Sequence, residues 1–146
     1  LNIREAKGLC YYISTEVDSY LDAGSLSTRA GADQSRLHEA ISLITEQYDL
    51  CASEGITADE LTRAKDFLKG RIALSLEDTE ERAHFFGKQQ LLYPKVRDVP
   101  QYFKEIDGVT KEQVDDLAKR VLTHEALRLV VIGQEENKAK LEELVA

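Results

Sequence analysis

From Tyr11 the chain alternates. Tyr11, Ile13, Thr15, Val17 and Leu21 fall on one side and Tyr12, Ser14, Glu16, Asp18 and Tyr20 on the other, the two-residue period of a half-buried strand. Asp22-Ala23-Gly24 supplies a turn, and Ser25 to Ala32 returns with Leu26, Thr28 and Ala30 on a common face, so the stretch reads as an antiparallel hairpin. No other segment constrains the fold as much, because a hairpin with one apolar face needs a layer laid over it. Leu1 to Lys7 reads as the last turns of a helix, with Gly8 where a left-handed C-terminal cap belongs.

The following segments supply that layer. Asp33 is a helix cap, and Leu37, Ile41, Ile44, Tyr48 and Cys51 recur at three- and four-residue spacing up to Gly55. Thr57-Ala58-Asp59-Glu60 is a capping box ahead of a long helix that carries Leu61, Ala64, Leu68 and Ile72 inward. The stripe loses phase near Glu77, and Asp78 caps a further helix that contains Ala83, Phe86, Gln90 and Leu91 and stops at Tyr93-Pro94. Asp98-Val99-Pro100-Gln101 opens a short helix ended by Gly108, and a second box, Thr110 to Gln113, leads Val114, Leu117, Ala118 and Val121 into the core. Leu127 to Gly133 predicts a central strand from its β-branched run, and Glu135 to Ala146 a final amphipathic helix. Two strands, several helices, a strand and a helix make an α+β arrangement: a mostly antiparallel sheet with helices packed on one face. No repeat or linker divides residues 1–146, so a single domain is expected.

Composition narrows the function classes. At 146 residues with 42% hydrophobic and 32% charged positions the chain is built to bury one core, and no apolar run approaches the ~20 residues that cross a bilayer. The net charge of −8 with scattered lysines and arginines argues against a nucleic-acid surface, so neither nucleic acid nor membrane is expected as a partner. Cys10 and Cys51 read as buried reduced thiols, and with no leader in sight the expected location is cytoplasmic. Glu80-Glu81 and Glu135-Glu136 suit helix starts rather than acid/base pairs, and Gly133 is not followed by a second glycine as a phosphate loop requires.

The order Arg4, Lys7-Gly8-Leu9 and Tyr11, seven residues beyond the arginine at the mouth of a strand, resembles the C-terminal half-domain of the pitrilysin and mitochondrial-processing-peptidase family of zinc metallopeptidases. Leu1, Ile3, Arg4, Gly8, Leu9 and Tyr11 fill a close version of its Leu-Arg-x-x-x-Gly-Leu-x-Tyr segment; Asp22-Ala23-Gly24, Gly55 to Lys65, Gly70 and Leu127 to Gly133 match later elements in order. The resemblance implies a half-domain that begins after its first strands, and so a chain truncated at its N-terminal side. The start at Leu1, in a sequence without methionine, fits an excised fragment.

The same resemblance implies that zinc belongs to the full-length enzyme and not to this chain. The family's His-x-x-Glu-His is absent, and His38, His84 and His124 lack ligand spacing, so no metal or catalytic residue is expected here. The implied substrate-binding residues are Arg4 and Tyr11. An arginine fork and a phenol are suitable donors to a bound peptide and its developing oxyanion, and Tyr12 competes with Tyr11 because a one-residue slip in register would exchange their faces. The implied function is the chamber-closing, substrate-binding half of a metalloendopeptidase. Its partners would be a peptide and an N-terminal zinc-binding half, in the same chain or a second subunit, and the fragment alone would be inactive. An exposed sheet edge would let the isolated fragment self-associate. The alternative is a non-catalytic structural subunit or assembly module of the same fold; a third reading is an unrelated α+β interaction domain.

Overall fold

The computed structural model describes residues 8–134 and 137–145, and the chain divides into two compact units, Leu1–Gly55 with Leu117–Ala146, and Ile56–Asp116. The helical turns expected over Leu1 to Lys7 lie outside the described residues.

In the first unit β1 (Cys10–Ser19) and β2 (Gly24–Ala32) pair antiparallel as the alternation predicts. The turn closes where Tyr20 N–H donates to the Ala23 carbonyl at 2.9 Å. Ile13 lies opposite Ala30, Thr15 opposite Thr28 and Val17 opposite Leu26. The Thr15 and Thr28 hydroxyls meet at 2.8 Å, a cross-strand pair of the kind that contributes about 0.2–1 kcal/mol. Thr28 also meets the Tyr48 hydroxyl at 2.5 Å, which ties this face of the hairpin to α1 (Leu37–Glu54).

The path from hairpin to helix is set by Asp33. Its carboxylate accepts from the Ser35 hydroxyl at 2.5 Å and the Ser35 amide at 2.8 Å, capping the single 3-10 turn Gln34–Arg36 that runs into α1. Those bonds, the hydroxyl first, hold the Asp33 carboxyl below its ordinary range. Helix α1 buries Ala40 and Ile41 and leaves Leu37, Ile44, Tyr48 and Cys51 half-buried, as its spacing predicts. The core is small: Leu9, Cys10 and Ala40, with Ile13, Ala30, Ala32, Leu43 and Ile44 packed against them. Alanine at three of these positions lets helix and sheet approach closely.

The second unit is helical. Thr57 caps α2 (Ala58–Ser75) by the expected box, with Glu60 N–H donating to the Thr57 hydroxyl at 3.2 Å and Thr57 N–H to the Glu60 carboxylate at 2.8 Å. Leu61 and Ile72 are half-buried as expected, but Ala64 and Leu68 are exposed. Lys65 and Lys69 take their place in the inward row. Lys65 Nζ donates to the Asp107 carbonyl at 2.8 Å and Lys69 Nζ pairs with the Asp107 carboxylate at 2.7 Å, so α2 meets its neighbour through aliphatic stems and charged tips. Asp78 caps α3 (Thr79–Leu92) and Asp98 caps α4 (Val99–Gly108), with Pro100 in the first turn. The Thr110–Gln113 box opens α5 (Lys111–Val121).

After α5 come a 3-10 turn, His124–Ala126, and a short α6 (Lys138–Glu143) capped by Asn137. The end of α6 reaches α1, where the Thr45 hydroxyl lies 3.1 Å from the Ile41 carbonyl and 3.5 Å from that of Leu144. The run Leu127 to Gly133, expected as a central strand, is not one. Among the described residues β1 and β2 pair only with each other, and Val130 and Ile132 stand 84% and 98% exposed. β-Branched residues favour extended backbone, but a strand also needs a ladder partner. Among the described residues the sheet is therefore one hairpin, and the fold class stays α+β.

Candidate functional site

The segment that carries Tyr11 is anchored just before that residue. Gly8 has φ +56°, the left-handed conformation its cap position predicts. Arg36 Nη1 donates to the Gly8 carbonyl at 3.1 Å, and the same guanidinium faces the Glu39 carboxylate at 3.4 Å. Leu9 and Cys10 then drop into the core, 2% and 7% exposed. Burial pushes the Cys10 thiol up, with the Arg36 charge opposing. Neither Cys10 nor Cys51 is in a disulfide, Cys10 buried as expected and Cys51 half-buried.

At Tyr11 the ladder breaks. Cys10 pairs with Ala32 and Tyr12 with Gly31, so Tyr11 is an extra residue with nothing opposite it, a β-bulge. The core explains why. Ala30 and Ala32, two apart on β2, pack into the same cluster as Ile13 and Cys10, three apart on β1. Regular alternation would put Cys10 and Ile13 on opposite faces. One additional residue between them lets both reach α1.

The two tyrosines consequently differ. Tyr11 is 75% exposed and unpaired. Tyr12 is paired, and its ring lies on Gly31: a Cβ built there would fall 2.4 Å from Cε1, 2.9 Å from Cδ1 and 3.1 Å from Cζ of the ring. A phenol presented at a bulge can donate its O–H to a ligand oxygen. Arg4, the other predicted donor, lies outside the described residues.

Two contributors escape the sequence reading. Arg36 fixes the Gly8 carbonyl across 28 positions, which no local pattern reveals. Gly31 carried a usable signal, since a glycine inside a strand marks a bulge or a close approach of another group.

No group of three or more His, Cys, Asp or Glu side chains among the described residues could hold a metal ion. His38 lies on α1 and His84 on α3. His124 Nε2 lies 3.0 Å from an Asp49 carboxylate oxygen, an exposed pair. The described residues therefore offer no set of side chains that fits a zinc ion.

Comparison with known proteins bears on this segment directly. The family model described as "Peptidase M16 inactive domain" matches residues 1–68, which include Arg4, the bulge and the hairpin. An uncharacterized zinc protease of Mycobacterium leprae is 37% identical over 120 residues, 82% of this chain and 27% of its own length. Mitochondrial-processing peptidase subunit alpha-2 of Dictyostelium discoideum is 30% identical over 115 residues, 79% of this chain and 25% of its own. The crystal structure of a conserved protein from Enterococcus faecalis V583 superposes with a TM-score of 0.68 at 23% identity, covering 82% of this chain and 28% of that one, and shows the same fold. The chain spans about a quarter of the length of these relatives. With the family model on its hairpin and these relatives along most of its length, the chain belongs to the C-terminal, inactive-type half-domains of the M16, or pitrilysin, peptidase family.

Proposed function

We propose that this chain is the substrate-binding, chamber-closing part of a zinc-dependent metalloendopeptidase, whose zinc and catalytic glutamate sit on a separate N-terminal half. That half is joined in the same polypeptide or supplied by a second subunit, a reading supported by a relative named as a subunit of a processing peptidase. The observation that carries the proposal is the state of Tyr11. It lies in the segment matched by the family, on a bulge that leaves it unpaired and 75% exposed.

The chemistry follows from the donors. A peptide bound as an extended strand offers backbone carbonyls, and the Arg4 guanidinium fixes one of them with its planar fork. The Tyr11 O–H donates to the carbonyl oxygen on which negative charge develops during attack. Neither residue is a nucleophile, so the fragment alone does not hydrolyse peptides.

The test is cleavage of a quenched fluorescent peptide library by the intact parent protein, wild type against Tyr11→Phe and Arg4→Ala. Loss of turnover in both, with folding preserved, is the expected result. A parent that cleaves nothing with zinc supplied would favour the non-catalytic structural subunit.

A further inference from the structure

We propose that Tyr12 and Gly31 form a positioning clamp that holds the register in which Tyr11 is presented: the Tyr12 ring, seated on Gly31, locks the bulge at Tyr11. The proposal rests on the reading of Tyr11 as the substrate-facing donor and adds to it a residue pair that touches no substrate.

A bulge is a choice of register. Moved by one position, it would pair Tyr11 with Gly31 and leave Tyr12 as the extra residue, exchanging the two phenols. The core fixes Cys10 and Ile13 inward but leaves two residues between them, so it does not by itself say which is paired. Gly31 does. Three atoms of the Tyr12 ring crowd the spot where any other residue would carry its Cβ, the nearest at 2.4 Å. The residues two positions either side of it, Arg29 and Asp33, both carry side chains, so of these three positions Gly31 alone offers bare backbone to a ring. Tyr12 is 57% exposed, so its ring is held by this contact rather than by burial in the core. The clamp needs the ring of Tyr12 and not its hydroxyl; the reaction needs the hydroxyl of Tyr11.

The experiment uses the full parent protein, with kcat and KM measured on a quenched fluorescent peptide, and with glycine 13Cα labelling to follow the Gly31 α-protons. Tyr12→Phe should keep kcat within about twofold, since it keeps the ring. Tyr12→Ala should lower kcat on the order of tenfold to a hundredfold with little change in KM, as expected for a donor misplaced by about an ångström. Gly31→Ala should do the same. If its clash prevents folding, the double variant Gly31→Ala/Tyr12→Ala removes the ring and should fold, with the kcat of Tyr12→Ala. The Gly31 α-protons should be shifted upfield by the ring in wild type and Tyr12→Phe and return to ordinary values in Tyr12→Ala. If Tyr12→Phe is as damaging as Tyr11→Phe, Tyr12 is the donor and the proposal is overturned. If Tyr11→Phe cripples the enzyme while Tyr12→Ala does not, the clamp fails and the Tyr11 reading survives. If Tyr11→Phe is harmless, or the parent cleaves nothing, that reading fails instead. The proposal that the ring sets the register then stands or falls on the Gly31 shift, and an ordinary value in wild type overturns it.

Discussion

The two units use their aromatic residues in opposite ways. In the helical unit Phe85 meets Phe86 and Tyr102 edge to face, with ring centres 5.1 and 5.4 Å apart. The Arg97 guanidinium lies 4.7 Å from the Tyr93 ring centre and 5.3 Å from that of Tyr102, and its Nη1 pairs with Glu105 at 2.7 Å. Beneath it, buried Gln89 accepts the Arg97 amide at 3.0 Å and donates to the Arg97 carbonyl at 3.4 Å. Those rings are committed to holding α3 and α4 to the loop between them. In the hairpin unit Tyr11 stands free at a bulge and Tyr12 leans on a glycine. The difference teaches that a tyrosine's role is set by what its ring and hydroxyl have left to bond.

That contrast can be broken most sharply by removing one hydroxyl from each unit of the parent protein. Tyr11→Phe should cost roughly 10²–10³ in kcat, the usual toll for one oxyanion donor. Tyr93→Phe, which keeps its ring over Arg97, should leave kcat within about twofold. Equal losses would erase the distinction between the units.

A reversed asymmetry is expected for stability. Gln89→Leu leaves the Arg97 amide and carbonyl without their side-chain partner in a half-buried loop and should destabilise by about 1–3 kcal/mol, read by urea unfolding. Turnover of the folded fraction should not change. A fall in kcat instead would mean that the helical node shapes the site.

Smaller effects test the caps that begin the helical unit. Thr57→Ala should cost about 1 kcal/mol. The Glu60 carboxyl is held below its ordinary range by the Thr57 amide first and the Thr57 hydroxyl second. A depressed carboxylate stabilises the fold above the unfolded value of about 4.3 and loses that contribution as pH falls through the lower folded value. Thermal unfolding should therefore show an acid-side decline that is shallower in Glu60→Gln than in wild type. Parallel acid profiles would show that the cap contributes nothing.

The sequence by itself determined what is decided within a few residues. The hairpin turn, the Thr57 and Thr110 boxes, the Asp33, Asp78 and Asp98 caps and the α1 stripe were all legible, because each is a short-range exchange between a side chain and nearby backbone. Of the proposed site, the sequence named Tyr11 with Tyr12 as its competitor, and the structure adds the bulge that treats the two differently. What only the tertiary structure decided depends on partners distant in sequence. The bulge arises because Cys10 and Ile13 must both reach α1. Lys65 and Lys69 turn inward because Asp107 waits 42 and 38 positions away. The run from Leu127 to Gly133 remains without a ladder because, among the described residues, no strand lies beside it. Periodicity reports a segment's preference for a surface; which surface it meets, and so which tyrosine is left without a cross-strand partner, is settled by packing.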